Sequence, residues 1–116
     1  MSNLDSILNR KTIGYKKTVK PNNNQIQKIF VTQPKYKTKG EILIIVKGVE
    51  LCELTLDSKT TEHIIVKALT KVVIKPSQNL IDEFYEEIEI NKGACVEFYL
   101  LENNWYIVSS DGLKLE

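Results

Sequence analysis

Residues 49–56 read VELCELTL, and the period of this stretch decides the fold class. Leu51, Glu53 and Thr55 alternate with Cys52, Leu54 and Leu56, so as a strand it turns one set to water and the other to a core. The same alternation returns downstream, where Glu87 and Glu89 interleave with Ile88 and Ile90, and Glu97 and Tyr99 with Val96 and Phe98. Half-buried sheets with one wet face are therefore expected.

Outward from that stretch the chain is a series of β-branched runs. IQKIFVTQ (26–33) and EILIIVKG (41–48) precede it, joined by PKYKTKG (34–40), whose Pro34, Gly40 and polar residues suit a loop. HIIVKAL, KVVIK, EEIEI, ACVEFYLL and WYIVSS follow, separated by DSKTTE, PSQNLIDEFY, NKG and ENN. Short strands spaced by about 8–12 residues predict a mainly β body: a small antiparallel β sandwich, a barrel-like sheet or a stacked β module. No helix of ordinary length is visible in the body, although NLIDEFY within residues 77–85 is compatible with one short helical turn. No internal repeat of fixed length appears.

The C-terminal stretch LENNWYIVSSDGLKLE (101–116) holds the only tryptophan. Asn103-Asn104 tolerates the left-handed backbone of a tight connection, and Asp111-Gly112 is a strong hairpin signal. Trp105, Ile107 and Ser109 would then line one face of a strand, Tyr106 and Val108 the other, with Leu113 and Leu115 alternating on a short return strand. Both faces of the middle strand are apolar, which calls for more cover than one small sheet supplies; a neighbouring copy is one source of it.

The chain has 116 residues, which suits one domain with an arm. Charge divides it. Residues 1–40 carry nine Lys and Arg against Asp5 alone, whereas residues 41–116 carry seven Lys against fourteen acids. A basic segment thus joins an acidic body, a split typical of an interaction segment attached to a folded unit. Ser2 and Asp5 fit a capping-box spacing and Leu4, Ile7 and Leu8 recur at helical intervals, so residues 3–10 read as a short amphipathic helix that needs a partner surface to persist. TIGYKKTVKPNNNQ behind it has linker chemistry. Residues 1–25 are accordingly read as an anchoring arm, with Leu4, Ile7, Leu8, Arg10, Lys11, Lys16, Lys17 and Lys20 as its docking groups, and residues 26–116 as the β domain.

Catalytic chemistry finds little material. His63 is the only histidine and sits at a strand start, where a structural role is expected. Cys52 and Cys95 occupy apolar or alternating positions and read as small buried hydrophobes in a reducing compartment, without the spacing of a zinc site. The acidic run IDEFYEEIEI, with Asp82, Glu83, Glu86, Glu87 and Glu89, lacks the spacing of a calcium loop and reads as a solvated loop entering a strand. No phosphate-binding loop or nucleophile turn is present. No enzyme, cofactor or metal is expected. With no run of about 18 apolar residues, no membrane span is expected either. MSNLDSILNRK has no apolar core of signal-peptide length, so a secretory route is not expected. Lysines interleaved with Tyr15 and Tyr36 suit a polyanion, but the acidic body would repel one, so a protein partner is preferred to nucleic acid.

From Leu51 onward the sequence resembles the small β modules of tailed-bacteriophage virion appendages, the head fibres and tail fibres. LTKVVIKP (69–76), LID (80–82), INKGACVEF (90–98) and NNWYIVSS (103–110) carry the resemblance. Such fibres often place a glycine just before the tryptophan; here Asn103 and Asn104 stand in that turn, and Asn adopts the same backbone. The resemblance covers about half the chain and implies a homotrimer anchored by its N-terminal segment to the capsid or another virion protein, assembled in the host cytoplasm. A head fibre or capsid decoration subunit, to which a further fibre protein could attach, is the expected role. A tail-fibre or baseplate adaptor and a carbohydrate-binding module using Trp105, Tyr106 or Tyr99 are the alternatives. Phe98, Leu100, Trp105 and Ile107 are the residues expected in the core or at a trimer contact.

Overall fold

A computed structural model describes residues 28–112. Nine strands follow in order: β1 (Lys28–Val31), β2 (Lys35–Lys37), β3 (Leu43–Val46), β4 (Leu51–Leu56), β5 (His63–Ala68), β6 (Lys71–Pro76), β7 (Ile88–Ile90), β8 (Cys95–Leu101) and β9 (Asn104–Asp111). They form a five-stranded sheet of order β1-β3-β5-β8-β9 and a four-stranded sheet of order β2-β4-β6-β7. The described residues contain no helix, and the 77–87 segment is a loop.

The first six strands alternate between the sheets, so the chain winds as a stacked coil. Parallel neighbours normally require a long crossover, commonly a helix. Here the crossover is a strand of the opposite sheet between two turns. β1, β3 and β5 pair in parallel, as do β2, β4 and β6. Antiparallel pairing enters only with the last three strands: β7 on β6, β8 on β5, and β9 on β8. The expected antiparallel sandwich is therefore corrected to two mixed sheets. The stretch PKYKTKG, expected as a loop, contains β2, whose Lys35, Tyr36 and Lys37 pair with Glu53, Leu54 and Thr55. Three residues suffice there because β2 is an edge strand, and lysines on its outer face blunt that edge.

The expected alternations hold where the sheets face each other. Cys52, Leu54, Leu56, Val96, Phe98, Ile88 and Ile90 are all buried, and the core they share runs from Val31 to Trp105. Ile44, Val46, Ile64, Val66, Val72 and Ile74 fill its middle layers. Thr38, Glu41 and Thr61 are buried polar residues at one corner of the coil. Thr61 Oγ1 donates to Thr38 Oγ1 at 2.8 Å, and Thr38 Oγ1 in turn accepts the Asp57 N–H at 2.9 Å. Gly40 turns this corner at φ 104°, where a Cβ would stand 3.1 Å from the Thr60 carbonyl oxygen, so a side chain there is strained.

Candidate interaction surfaces

Trp105 is fully buried on the edge strand β9. Its ring meets Phe98 edge-on, with centroids 6.3 Å apart. The cover over its strand comes from the 77–87 loop of the same chain. Ile81 forms isolated bridges with both Tyr85 and Trp105. The Asp82 N–H donates to the Trp105 carbonyl at 2.9 Å, and Asp82 Oδ1 accepts the Ile107 N–H at 2.9 Å. Tyr106 donates its hydroxyl to Glu83 Oε2 at 2.7 Å, and Asn79 Nδ2 donates to the Asn103 carbonyl at 2.7 Å. The Glu83 hydrogen bond holds the Tyr106 phenol above its ordinary pKa. A loop thereby occupies hydrogen-bonding positions that an edge strand would otherwise leave open.

Asn79, Asp82 and Glu83 reach these contacts with φ near +60°, at 64°, 56° and 59°. Asn and Asp tolerate that conformation best. The β8–β9 turn is one residue earlier than expected. Glu102 and Asn103 take the positive φ values, 51° and 67°, and Asn104 already pairs with Leu101. An irregularity between Glu97 and Phe98 further shifts the register, so Ile107 opposes Phe98 while Ser109 opposes Glu97. Trp105 and Ile107 therefore share the inner face as expected, but Ser109 lies on the outer one. Phe98 and Trp105 are fully buried, and Leu100 and Ile107 pack against the core as partly buried residues. Leu113 and Leu115, like Leu4, Ile7, Leu8, Arg10, Lys11, Lys16, Lys17 and Lys20, lie outside the described residues.

The outer faces of the two sheets differ in character. On the four-stranded sheet, registers align Lys35 with Glu53, Val73 and Glu89, and Lys37 with Thr55 and Lys75. Lys71 pairs with Glu89 at 2.9 Å and Lys75 with Glu53 at 3.7 Å. This is the solvated, charged face that the alternation predicts. On the five-stranded sheet, the outward positions include Phe30, Leu43, Ile45, Ile65 and Tyr99. Phe30 is 61% exposed and Tyr99 46% exposed, while Leu43, Ile45 and Ile65 are half-buried. A shallow groove of about 200 Å³ runs along Lys28, Ile29, Phe30, Leu43 and Ile45.

His63 on β5 and Glu97 on β8 interrupt that apolar face. His63 Nε2 lies 2.6 Å from Glu97 Oε2, and the imidazole stacks on the Tyr99 ring with centroids 4.1 Å apart and planes 7° from parallel. One face of Tyr99 is thus already occupied. Cys52 is buried, and burial pushes its thiol pKa up. Cys95 is only half-buried, contrary to expectation, because its register opposite Lys67 puts it on the outer side of β8. Asp82 and Glu83 of the acidic run make the loop contacts to β9, and no cluster of three His, Cys, Asp or Glu suited to a metal ion occurs among the described residues.

No family model matches the chain, and no curated protein matches its sequence.

Proposed function

We propose that this chain is a non-enzymatic structural protein of a tailed-bacteriophage virion: a head fibre or capsid decoration subunit. Its N-terminal arm docks on the capsid, and its β module, assembled as a trimer, projects from it. The observation that carries this reading is the division of labour along the chain. A basic segment with one short amphipathic stretch precedes an acidic β body, and that body keeps one sheet face charged and the other apolar. Charge of opposite sign suits an arm that meets acidic protein surface. An apolar sheet face suits assembly, since obligate interfaces are richer in apolar area than solvated surfaces. The resemblance of residues 51–116 to fibre modules points the same way.

Trp105 cannot offer its ring to a sugar, because it is fully buried, and Tyr99 has one ring face stacked on His63. The glycan-binding alternative thereby loses the most attractive of its three aromatic residues and half of a second. Gold labelling of this protein on intact particles tests the proposal. Signal on the head supports it, signal on the tail transfers the chain to the tail-fibre or baseplate class, and absence from purified particles refutes a virion role.

A further inference from the structure

We infer that the outer face of the five-stranded sheet is the surface on which a second copy of this chain docks, the β1–β3 half of one copy lying against the β8–β9 half of the other. The inference rests on the self-assembling module proposed above and names the face that assembles. Its first ground is the contrast between the two sheets. Their outer faces are built on the same pleat, yet one presents ion-paired Lys and Glu and the other presents Phe30, Leu43, Ile45, Ile65 and Tyr99. Exposed apolar area of this kind on a small domain marks an interaction site.

Its second ground is the distribution of charge across that same face. Lys28 on β1 and Lys47 just beyond β3 lie towards one side, while Lys67 stands on the central strand β5. Lys47 Nζ already sits 4.2 Å above the Phe30 ring. Glu97 on β8 and Asp111 on β9 lie towards the other side. The face is thus basic on its β1–β3 side and acidic on its β8–β9 side, which makes it complementary to a reversed copy of itself. A foreign partner would need to reproduce that gradient; a second copy carries it already. Either a two-fold axis along the strands or a higher rotation brings unlike edges together.

Light scattering of the full chain, with Phe30→Glu, Ile45→Glu and Val73→Glu variants, tests the inference. The first two put a carboxylate on the apolar face; the third puts one at a half-buried position on the charged face of the other sheet and serves as control. The wild-type mass should be a multiple of the chain mass. Phe30→Glu and Ile45→Glu should fall to the monomer mass with the β circular-dichroism signal retained, and Val73→Glu should keep the wild-type mass. Should Ile45→Glu fail to fold, the largely exposed Phe30 decides alone. Persistent assembly in a folded Phe30→Glu variant overturns the assigned face while leaving the trimeric reading standing. A wild-type dimer that the two variants dissociate supports the face and overturns the trimer. A monomeric wild type overturns both.

Discussion

Asp82 grips Trp105 through the backbone: the Asp82 N–H donates to the Trp105 carbonyl oxygen at 2.9 Å, and the Asp82 carboxylate takes the Ile107 N–H one step further along the strand. A loop between β6 and β7 thereby docks on the last strand of the other sheet. Fixing the edge of β9 fixes the indole beneath it, so the stability of the core and the conformation of the loop are coupled.

Trp105→Ala should expose that coupling most strongly. The ring is fully enclosed and meets Phe98 edge-on. Its removal should cost on the order of 3–5 kcal/mol, a large fraction of the stability of a small domain. Denaturant unfolding followed by circular dichroism checks this. A midpoint within experimental scatter of the wild type would refute the enclosure.

Asp82 should distinguish backbone conformation from hydrogen bonding. Asp82→Ala loses the acceptor for the Ile107 N–H and places a residue poorly suited to φ 56° at this position, so a loss of about 1–3 kcal/mol is expected. Asp82→Asn keeps both an acceptor oxygen and tolerance of the left-handed region, and should restore most of that loss. Equal destabilisation by both variants would mean that the negative charge, not the hydrogen bond, holds the loop.

Tyr36 should give stability an alkaline limit. Its hydroxyl donates to the carboxylate of Glu41, which is itself buried. Burial, then the hydrogen bond and charge of Glu41, push the phenol pKa well above its ordinary value of 10.0. Below pH 10 both folded and unfolded chains keep the phenol proton, and the contribution of Tyr36 is fully present. Above pH 10 the unfolded chain releases the proton while the folded chain retains it, so this contribution declines as pH rises towards the folded value. Unfolding free energies at pH 7 and pH 11 should show the advantage of wild type over Tyr36→Phe shrinking. An advantage independent of pH would break the assigned link between Tyr36 and Glu41.

Strands were legible in this sequence because side-chain alternation survives every change of partner. VELCELTL, EEIEI and ACVEFYLL place their apolar residues inward as their period requires. Parallel pairing was not legible, since the same period of two serves parallel and antiparallel ladders alike. Unequal coil lengths also hide the stack: the register links Lys28 to Leu43 to Ile65 on one sheet but Lys35 to Glu53 to Val73 on the other, which leaves no fixed repeat. Lys35–Lys37 was missed because its two lysines and neighbouring proline read as loop chemistry. The apolar outer face had a visible signal in the unbroken runs LIIV and HIIV, where both strand faces carry large apolar residues. The Glu102–Asn103 turn and the shifted register beside Glu97 rest on backbone detail that residue types alone leave open to one position either way.

The arm should be separable from the fold. Every buried residue of the described core lies between Val31 and Trp105, so the β body has its own apolar centre without residues 1–25. Two forces are expected to hold the arm on its docking partner: Leu4, Ile7 and Leu8 filling an apolar groove, and Arg10, Lys11, Lys16, Lys17 and Lys20 meeting acidic surface. Salt separates them, since exposed charges are screened beyond about 8–10 Å at physiological ionic strength while apolar burial is not. Deletion of residues 1–25 should leave the β circular-dichroism signal and the assembled mass unchanged and abolish joining to particles in reconstitution. Leu4→Ala combined with Leu8→Ala should weaken attachment at every salt concentration, and replacement of the five basic residues by Gln should weaken it chiefly at low salt. Normal decoration of particles by the truncated chain would place the anchor on the β body instead.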